Sequence, residues 1–490
     1  LRWLVVLGMF VVAYSIWSIL PGMKRELAPL EDRGQILGVV TAPDGSTLDY
    51  TQKYLSSMER IGQPYKEFDR IFVTAGNPTV SQANVFFRAI DWDQRTRSTL
   101  EIAREMQPKM AALPGVTAFP ITPPSLGQGF RERPINFVIV TSDSYQNLAA
   151  TVRQFTEEVA KNPGIISVDT DLRLNKPELR IEVNREKAAD LGVSVEVVAK
   201  ALETMLGGRQ VTRYKRDAEQ YDVIVQTQAS GRSTPEDIDS IYVRGRNDTM
   251  IPLSALVKTR ESVSPRELNH FGQRRSVSIT ANLAPDYSLG QALVFLDQTA
   301  AKVLKTGYST DLNGTSREFK ASQGALAVVF GLALLFIFLV LAAQFESFVD
   351  PFVIMLSVPL SMIGALLALK WSGGSLNVYS QIGLITLVGL ITKHGILIVE
   401  FTNQLREEGM EMIDALIKAS AQRLRPILMT TGAMVLGAVP LALATGAGAE
   451  SRQQIGWVIV GGLLLGTFFT LFVVPTVYSL LAAKKEAVIA

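Results

Sequence analysis

The sequence has no cysteine, which excludes disulfides, thiolate zinc sites and cysteine nucleophiles together. Histidine is almost as scarce. His270 and His394 are the only two in 490 residues, too few for a His-rich catalytic metal site. No Gly-Lys pair occurs, so there is no Walker A loop to cradle nucleotide phosphates. The formal charge of +2 lacks the basic excess of a dedicated nucleic-acid binder. These absences argue against an ATP-hydrolysing engine and against thiol or metal enzymology. The first residue is Leu rather than Met, so a processed product or a piece of a longer polypeptide is expected.

What the chain does have is long apolar runs. Six segments are uncharged or nearly so and approach the roughly 20 residues that cross a bilayer. They are Trp3–Leu20, Ala321–Phe345, Pro351–Leu369, Val378–Phe401, Pro426–Ala449 and Ile455–Ala483. Trp3–Leu20 is not followed by a small-residue cleavage site, so it reads as a span rather than a signal sequence. With the N-terminus cytoplasmic, Arg2, Arg406, Lys418, Arg423, Arg425, Lys484 and Lys485 all fall inside. The short outer loops carry only Arg452, in accord with the positive-inside rule. The expected fold is therefore a multi-pass α-helical membrane protein with six transmembrane helices and a large external α+β domain between the first two.

Residues 21–320 alternate β-rich runs with amphipathic helices in a repeated order. The first unit reads as strand Ile36–Ala42, helix Leu48–Arg60, strand Arg70–Thr74, strand Asn84–Ile90, helix Leu100–Ala112 and strand Val116–Ile121. This β-α-β-β-α-β order is the split ferredoxin-like arrangement. A second unit starts with strand Ile135–Thr141, helix Leu148–Val159 and strand Leu179–Val183, and resumes at Ser276–Ala281 and helix Leu289–Val303. Between its parts lies an insertion, about Asn184–Val263, long enough to be a subdomain. Met106 and Met110 stand one turn apart, but methionine on an apolar helix face is usually core, and no metal site is expected. Phe86 and Phe119 belong to apolar stretches that either line a cleft between the two units or pack as ordinary core.

The most informative stretch is Gly389–Phe401, "GLITKHGILIVEF". A lysine near the centre of a span costs roughly 2.5–3.5 kcal/mol on insertion scales, so it normally faces the protein interior and has a partner. Thr386, Lys393 and Glu400 are spaced by seven and share one helix face. Glu400 lies about 10 Å along the axis from Lys393, too far for a direct pair. The next span opens with Arg423 at its edge and Thr430 about two turns deeper, while none of the six spans carries an aspartate at central depth. Lys393 thus has a missing acidic partner. A structural salt bridge and a transport relay both fit it, and intramembrane ionisable groups favour the relay. His394, one residue round the helix, reads mainly as a packing or hydrogen-bonding residue. With Glu400 it is an accessory candidate for proton movement.

"GLITKHGILIVEF" and "RLRPILMTTGAMVLGAVPL", together with one span, an external domain and five more spans, resemble the resistance-nodulation-division superfamily. The closest likeness is to the second half of a hydrophobe/amphiphile efflux permease of Gram-negative bacteria. The resemblance implies an inner-membrane exporter driven by the proton gradient, without a cofactor, working as a homotrimer. It implies porter subdomains at 33–132 and at 133–183 with 266–318, and a docking subdomain at 184–265. These stand between a first helix at 1–20 and five helices within 321–483. It implies a relay of Lys393, Arg423 and Thr430 serving paired aspartates on a homologous N-terminal half. The other implied partners are a periplasmic adaptor, an outer-membrane channel, membrane lipid and amphiphilic small molecules. Phe72, Phe86 and Phe119 match pocket phenylalanines of that family. "AGNPTVSQAN" departs from its aromatic switch loop, which puts the substrate range in question but not the transport class, and His394 stands where some relatives have Asn. A lipid or metal exporter and a non-transporting periplasmic receptor or scaffold are the alternatives. An enzyme finds no nucleophile–base pair to support it.

Overall fold

A computed structural model describes residues 2–126, 133–265, 267–284 and 287–482. The first apolar run is helix α1 (Arg2–Ile19), none of whose residues is buried by the rest of the chain. The segment after it forms a strap over the outer ends of the membrane helices, anchored by the buried Met23 and Leu27. Leu376 N donates to Lys24 O at 2.8 Å, Val378 N to Leu27 O at 3.2 Å and Gly290 N to Arg25 O at 3.2 Å. The Ser375 hydroxyl donates to the Glu26 carboxylate, and the Ser451 hydroxyl to that of Glu31.

A four-stranded sheet follows, built from β1 (Gln35–Thr41), α2 (Leu48–Gly62), β2 (Phe68–Ala75), β3 (Gln82–Ala89), α3 (Thr99–Ala111) and β4 (Thr117–Ile121). Its order is β2-β3-β1-β4, with every pairing antiparallel. Local sequence sets the helix starts. The Thr47 hydroxyl accepts from Tyr50 N, and Ser98 with Glu101 forms a reciprocal capping box. Period-2 alternation gives the sheet two apolar faces. Ile36, Val85 and Phe87 pack with the helix residues Met106 and Met110, which are core as expected. The opposite face carries Leu37, Val39, Phe86, Phe119 and Ile121.

A second sheet opens with β5 (Ile135–Thr141), α4 (Tyr145–Val159) and β6 (Ile165–Thr170). The chain then enters a separate compact unit, Leu172–Glu267. That unit contains β7 (Lys176–Val183), α5 (Arg185–Asp190), α6 (Val195–Leu202), β8 (Arg209–Arg216), β9 (Glu219–Val225), β10 (Tyr242–Arg244), β11 (Met250–Pro252) and β12 (Val257–Ser264). The strands form three two-stranded pairs: β7 with β12, β8 with β9, and β10 with β11. Its core gathers Ala188, Val198, Ile238, Val243, Leu253 and Leu256. The second sheet resumes with β13 (His270–Phe271), β14 (Arg274–Leu283), α7 (Leu289–Val303) and β15 (Tyr308–Leu312). Its order is β13-β14-β5-β15, with β6 also paired to β14.

One expected strand is misplaced. The element order places Leu179–Val183 in the second sheet, but β7 pairs with β12 inside the separate unit. Ile165–Thr170 takes the position beside β14 instead. Leu179, Ile181 and Val183 alternate with charged residues, a pattern satisfied equally by either sheet. The compact unit accordingly begins at Leu172, ahead of the expected insertion start at Asn184.

Among the described residues, six helices are long and apolar enough to cross a membrane. After α1 come α8 (Gly314–Phe345), the pair α9 (Val349–Met355) and α10 (Ser357–Trp371), α11 (Val378–Glu407), α12 (Met412–Ala442) and α13 (Ala449–Leu481). The fifth, α12, starts well before the expected Pro426 because a charged stretch with Asp414, Lys418, Arg423 and Arg425 continues the helix ahead of its apolar run. Helix α13 packs along α10 through facing glycines: a Cβ built on Gly461 would lie 2.6 Å from the Gly364 carbonyl oxygen. Small residues at such crossings let helix backbones approach closely in lipid.

Candidate functional site

Helix α11 starts with a capping box in which Asn377 and Ser380 bond reciprocally. One side of it is buried by Leu384, Leu387, Val388, Ile391, Ile398 and Val399 against the neighbouring helices. Its other side is uncovered. Ile382, Thr386, Gly389, Lys393 and Glu400 are all exposed on one face of a helix that is otherwise membrane-packed. Lys393 forms no ion pair or hydrogen bond among the described residues, and Glu400 stands about two turns away. Thr386 satisfies its hydroxyl on its own helix, donating to Ile382 O at 2.9 Å. A Cβ on Gly389 would meet nothing within 4 Å, so this face has a shallow groove one turn before the lysine.

Arg423 and Thr430 occupy α12. The Arg423 guanidinium lies over the Phe401 ring at 4.5 Å, tying α12 to α11, and its Nε is buried without a hydrogen-bond partner among the described residues. Thr430 donates to Ile427 O at 3.0 Å. Among the described residues, no hydrogen bond or ion pair joins Lys393, Arg423 and Thr430. The chain alone presents the three without connecting them.

His394 points away from Lys393 into the bundle and is fully buried. The Thr431 hydroxyl lies 3.3 Å from its Nε2 and the Thr467 hydroxyl 3.3 Å from its Nδ1. Thr431 Oγ1 also donates to Ile427 O at 2.9 Å and lies 3.2 Å from Thr467 Oγ1, so each ring nitrogen faces a hydroxyl that can donate or accept, as either neutral tautomer requires. The two threonines were not read from the sequence. Their only signal is spacing, since Thr431 adjoins Thr430 and Thr467 lies mid-span. A second polar cluster was also missed. At the inner end, Asn403 donates to Asp350 at 3.0 Å, Tyr478 donates to Asn403 at 2.5 Å, and Arg406 donates to Tyr478 at 2.8 Å.

The structure brings Phe72, Phe86 and Phe119 to one face of the first sheet. Phe72 and Phe86 are cross-strand partners with ring centroids 5.8 Å apart. Phe119 lies across β1 from them, opposite Val39. Phe72 is 61% exposed and Phe119 only 9%, so the patch runs from open surface into packed core. Arg133, whose Nη1 donates to Ser167 O at 2.6 Å, places its guanidinium over the Phe119 ring at 4.3 Å. That cation–π lid joins the two sheets, and no sequence motif announced it. Among the described residues, no group of three or more His, Cys, Asp or Glu is placed to hold a metal ion.

These features define a multi-pass membrane chain with a sheet-containing soluble part and an ionisable group exposed at mid-span. The sequence pattern of the AcrB/AcrD/AcrF family matches residues 1–482, and the chain belongs to that family, within the resistance-nodulation-division superfamily. It is 38% identical to an uncharacterized transporter of Haemophilus influenzae, over 98% of this chain and 48% of that protein. It is 30% identical to the multidrug/solvent efflux pump membrane transporter MepB of Pseudomonas putida, over 97% of this chain and 47% of that one. The antibiotic efflux pump membrane transporter ArpB of the same species is 31% identical, over 97% of this chain and 46% of its own. The chain thus spans about half the length of the curated relatives it matches.

Proposed function

We propose that this chain acts as the second half of a proton-driven exporter of amphiphilic small molecules in the inner membrane of Gram-negative bacteria. The observation that carries the proposal is Lys393, a cation at mid-span on an exposed helix face with no partner among the described residues. A charge in that position calls for an acidic partner in the working protein. The reading assigns that partner to aspartates on a homologous N-terminal half laid against the Thr386–Gly389–Lys393 face. Protonation of the aspartates releases Lys393, and the gradient supplies about 2.3 kcal/mol per charge per 100 mV. Arg423 and Thr430 complete the relay. His394 holds α11 in rotation, and Glu400 lies on the inner approach to the site.

In this reading the two sheets are ferredoxin-like porter subdomains, and the Leu172–Glu267 unit is the docking subdomain facing an adaptor and outer-membrane channel. Trimers of the complete pump carry cargo across the Phe72–Phe86–Phe119 face, and Phe86→Ala changes which amphiphiles leave the cell. The names of the P. putida relatives favour multidrug or solvent cargo over a lipid or metal. The decisive experiment is Lys393→Ala in the complete pump, reconstituted in vesicles with an imposed pH gradient. Export is expected to fall to background, whereas membrane insertion is preserved because a charge has been removed from mid-span. Full export by the variant would sink the proposal.

A further inference from the structure

Where the second sheet meets the start of α8, a cavity of about 270 Å³ opens between Asp297 on α7, Asp311 on β15, and Arg317 and Lys320 in the first turns of α8, with Phe137 and Leu312 also in its lining. Two carboxylates and two cations thus share one small space. Among the described residues they form no ion pair with one another, and Asp311 is engaged only by the neighbouring Leu312 amide at 2.7 Å. Lys320 directly precedes the uncharged run Ala321–Phe345. At 1.5 Å per residue that run is about 37 Å long, enough for a hydrocarbon core of about 30 Å, so Lys320 lies at the level of the lipid headgroups. Below the cavity, on the same side of α8, Val328, Leu332, Leu335 and Leu339 are 51–61% exposed.

We propose that this cavity seats the headgroup of an aminophospholipid. The phosphodiester lies against Arg317 and Lys320, the primary ammonium lies against Asp297 and Asp311, and the acyl chains lie along the apolar stripe of α8. The charge pattern selects the class. An anionic lipid without an amine leaves both carboxylates unanswered, whereas a primary ammonium supplies the charged N–H donors they can accept from. A choline headgroup offers no N–H and is held by aromatic cages, whereas the single aromatic ring lining this cavity, Phe137, is buried in the sheet core. The inference is independent of the proton relay.

The test uses the purified full-length protein, stripped of co-purified lipid and titrated with phosphatidylethanolamine, phosphatidylcholine and phosphatidylglycerol. Retention is read by native mass spectrometry. Phosphatidylethanolamine is expected to be retained at least about tenfold better than phosphatidylcholine, the scale of one or two charge-assisted hydrogen bonds. Asp297→Asn with Asp311→Asn removes that preference and spares phosphatidylglycerol. Arg317→Gln with Lys320→Gln weakens both lipids, and Lys320→Gln alone gives an intermediate loss. All four side chains are at the surface, so lipid-free melting temperatures of the variants should match the parent. Equal retention of the ethanolamine and choline lipids would overturn the proposal, as would unchanged retention in either double variant. So would tail-free glycerophosphoethanolamine or inorganic phosphate competing as well as the lipid, which would mark the occupant as a soluble anion or zwitterion.

Discussion

At the residue scale, two carboxylates on the strap after α1 titrate in opposite senses. Burial pushes the Glu26 carboxyl above the ordinary carboxylate range, and the Ser375 hydroxyl and Lys24 only partly oppose it. Burial also acts on Asp32. There, however, Arg95 at 2.8 Å, the Thr99 hydroxyl at 2.6 Å and the amides of Gly34 and Thr99 outweigh it and hold the carboxyl low. The stabilisation from Glu26 is full below its unfolded pKa, near 4.5, and is lost as pH rises through the higher folded value. That from Asp32 is present above about pH 4 and is lost as pH falls through its depressed value. Melting of the purified protein from about pH 2 to 8, a range that spans both titrations, should therefore show Glu26→Gln gaining on the parent toward high pH. Asp32→Asn should lose about 3 kcal/mol at neutral pH, as a broken buried ion pair does, and converge with the parent in acid. Parallel curves for all three proteins would refute both assignments. Thr467→Val removes the hydroxyl beside His394 Nδ1 and should cost about 1–3 kcal/mol at neutral pH, read from the same melts.

At the scale of elements, the sequence was most legible where one pattern had a single solution. Helix α7 and strand β5 fall on the residues their periodicity indicates, because Ser288 with Gln291 caps the helix and Ile135–Val140 is nearly continuous apolar β-former. Strand β6 was not read: it is only six residues long, and its apolar start is broken by Ser167 and Asp169. The partner of β7 could not be read either, because alternation fixes which face of a strand is buried but not which strand lies beside it. The candidate site divides in the same way. The mid-span lysine was evident from composition. The Thr431–His394–Thr467 cluster and the Arg133–Phe119 contact depend on how separate elements pack, which spacing does not encode. Packing also makes one element-level prediction. A Cβ on Gly461 already falls 2.2 Å from that of Ala368. Gly461→Val should force α10 and α13 apart and destabilise the bundle by about 1–3 kcal/mol. Gly437→Val, where nothing lies within 4 Å, should leave the melting temperature unchanged in the same comparison.

At the scale of the whole molecule, the exposed face of α11 and the half-length match to the relatives point to the same arrangement. A surface that combines a small residue, a hydroxyl and a mid-span cation is poorly suited to lipid, and small residues are what close helix contacts in membranes use. If a homologous half covers that face, Gly389 marks the point of closest approach. Gly389→Leu should then insert normally and melt like the parent when this chain is expressed alone, because its added side chain meets nothing there. In the complete pump the same leucine overpacks the contact by about 1–3 kcal/mol. Export should fall by about tenfold or more, since each 1.4 kcal/mol is a factor of ten. The matching reconstitution compares this chain alone, the homologous half alone, and both together under an imposed pH gradient. Only the pair should show proton-coupled export, and Gly389→Leu should reduce it without altering the amount of either half in the membrane. Export by this chain alone, or full activity of the Gly389→Leu pair, would show that the face of α11 is not where the two halves meet.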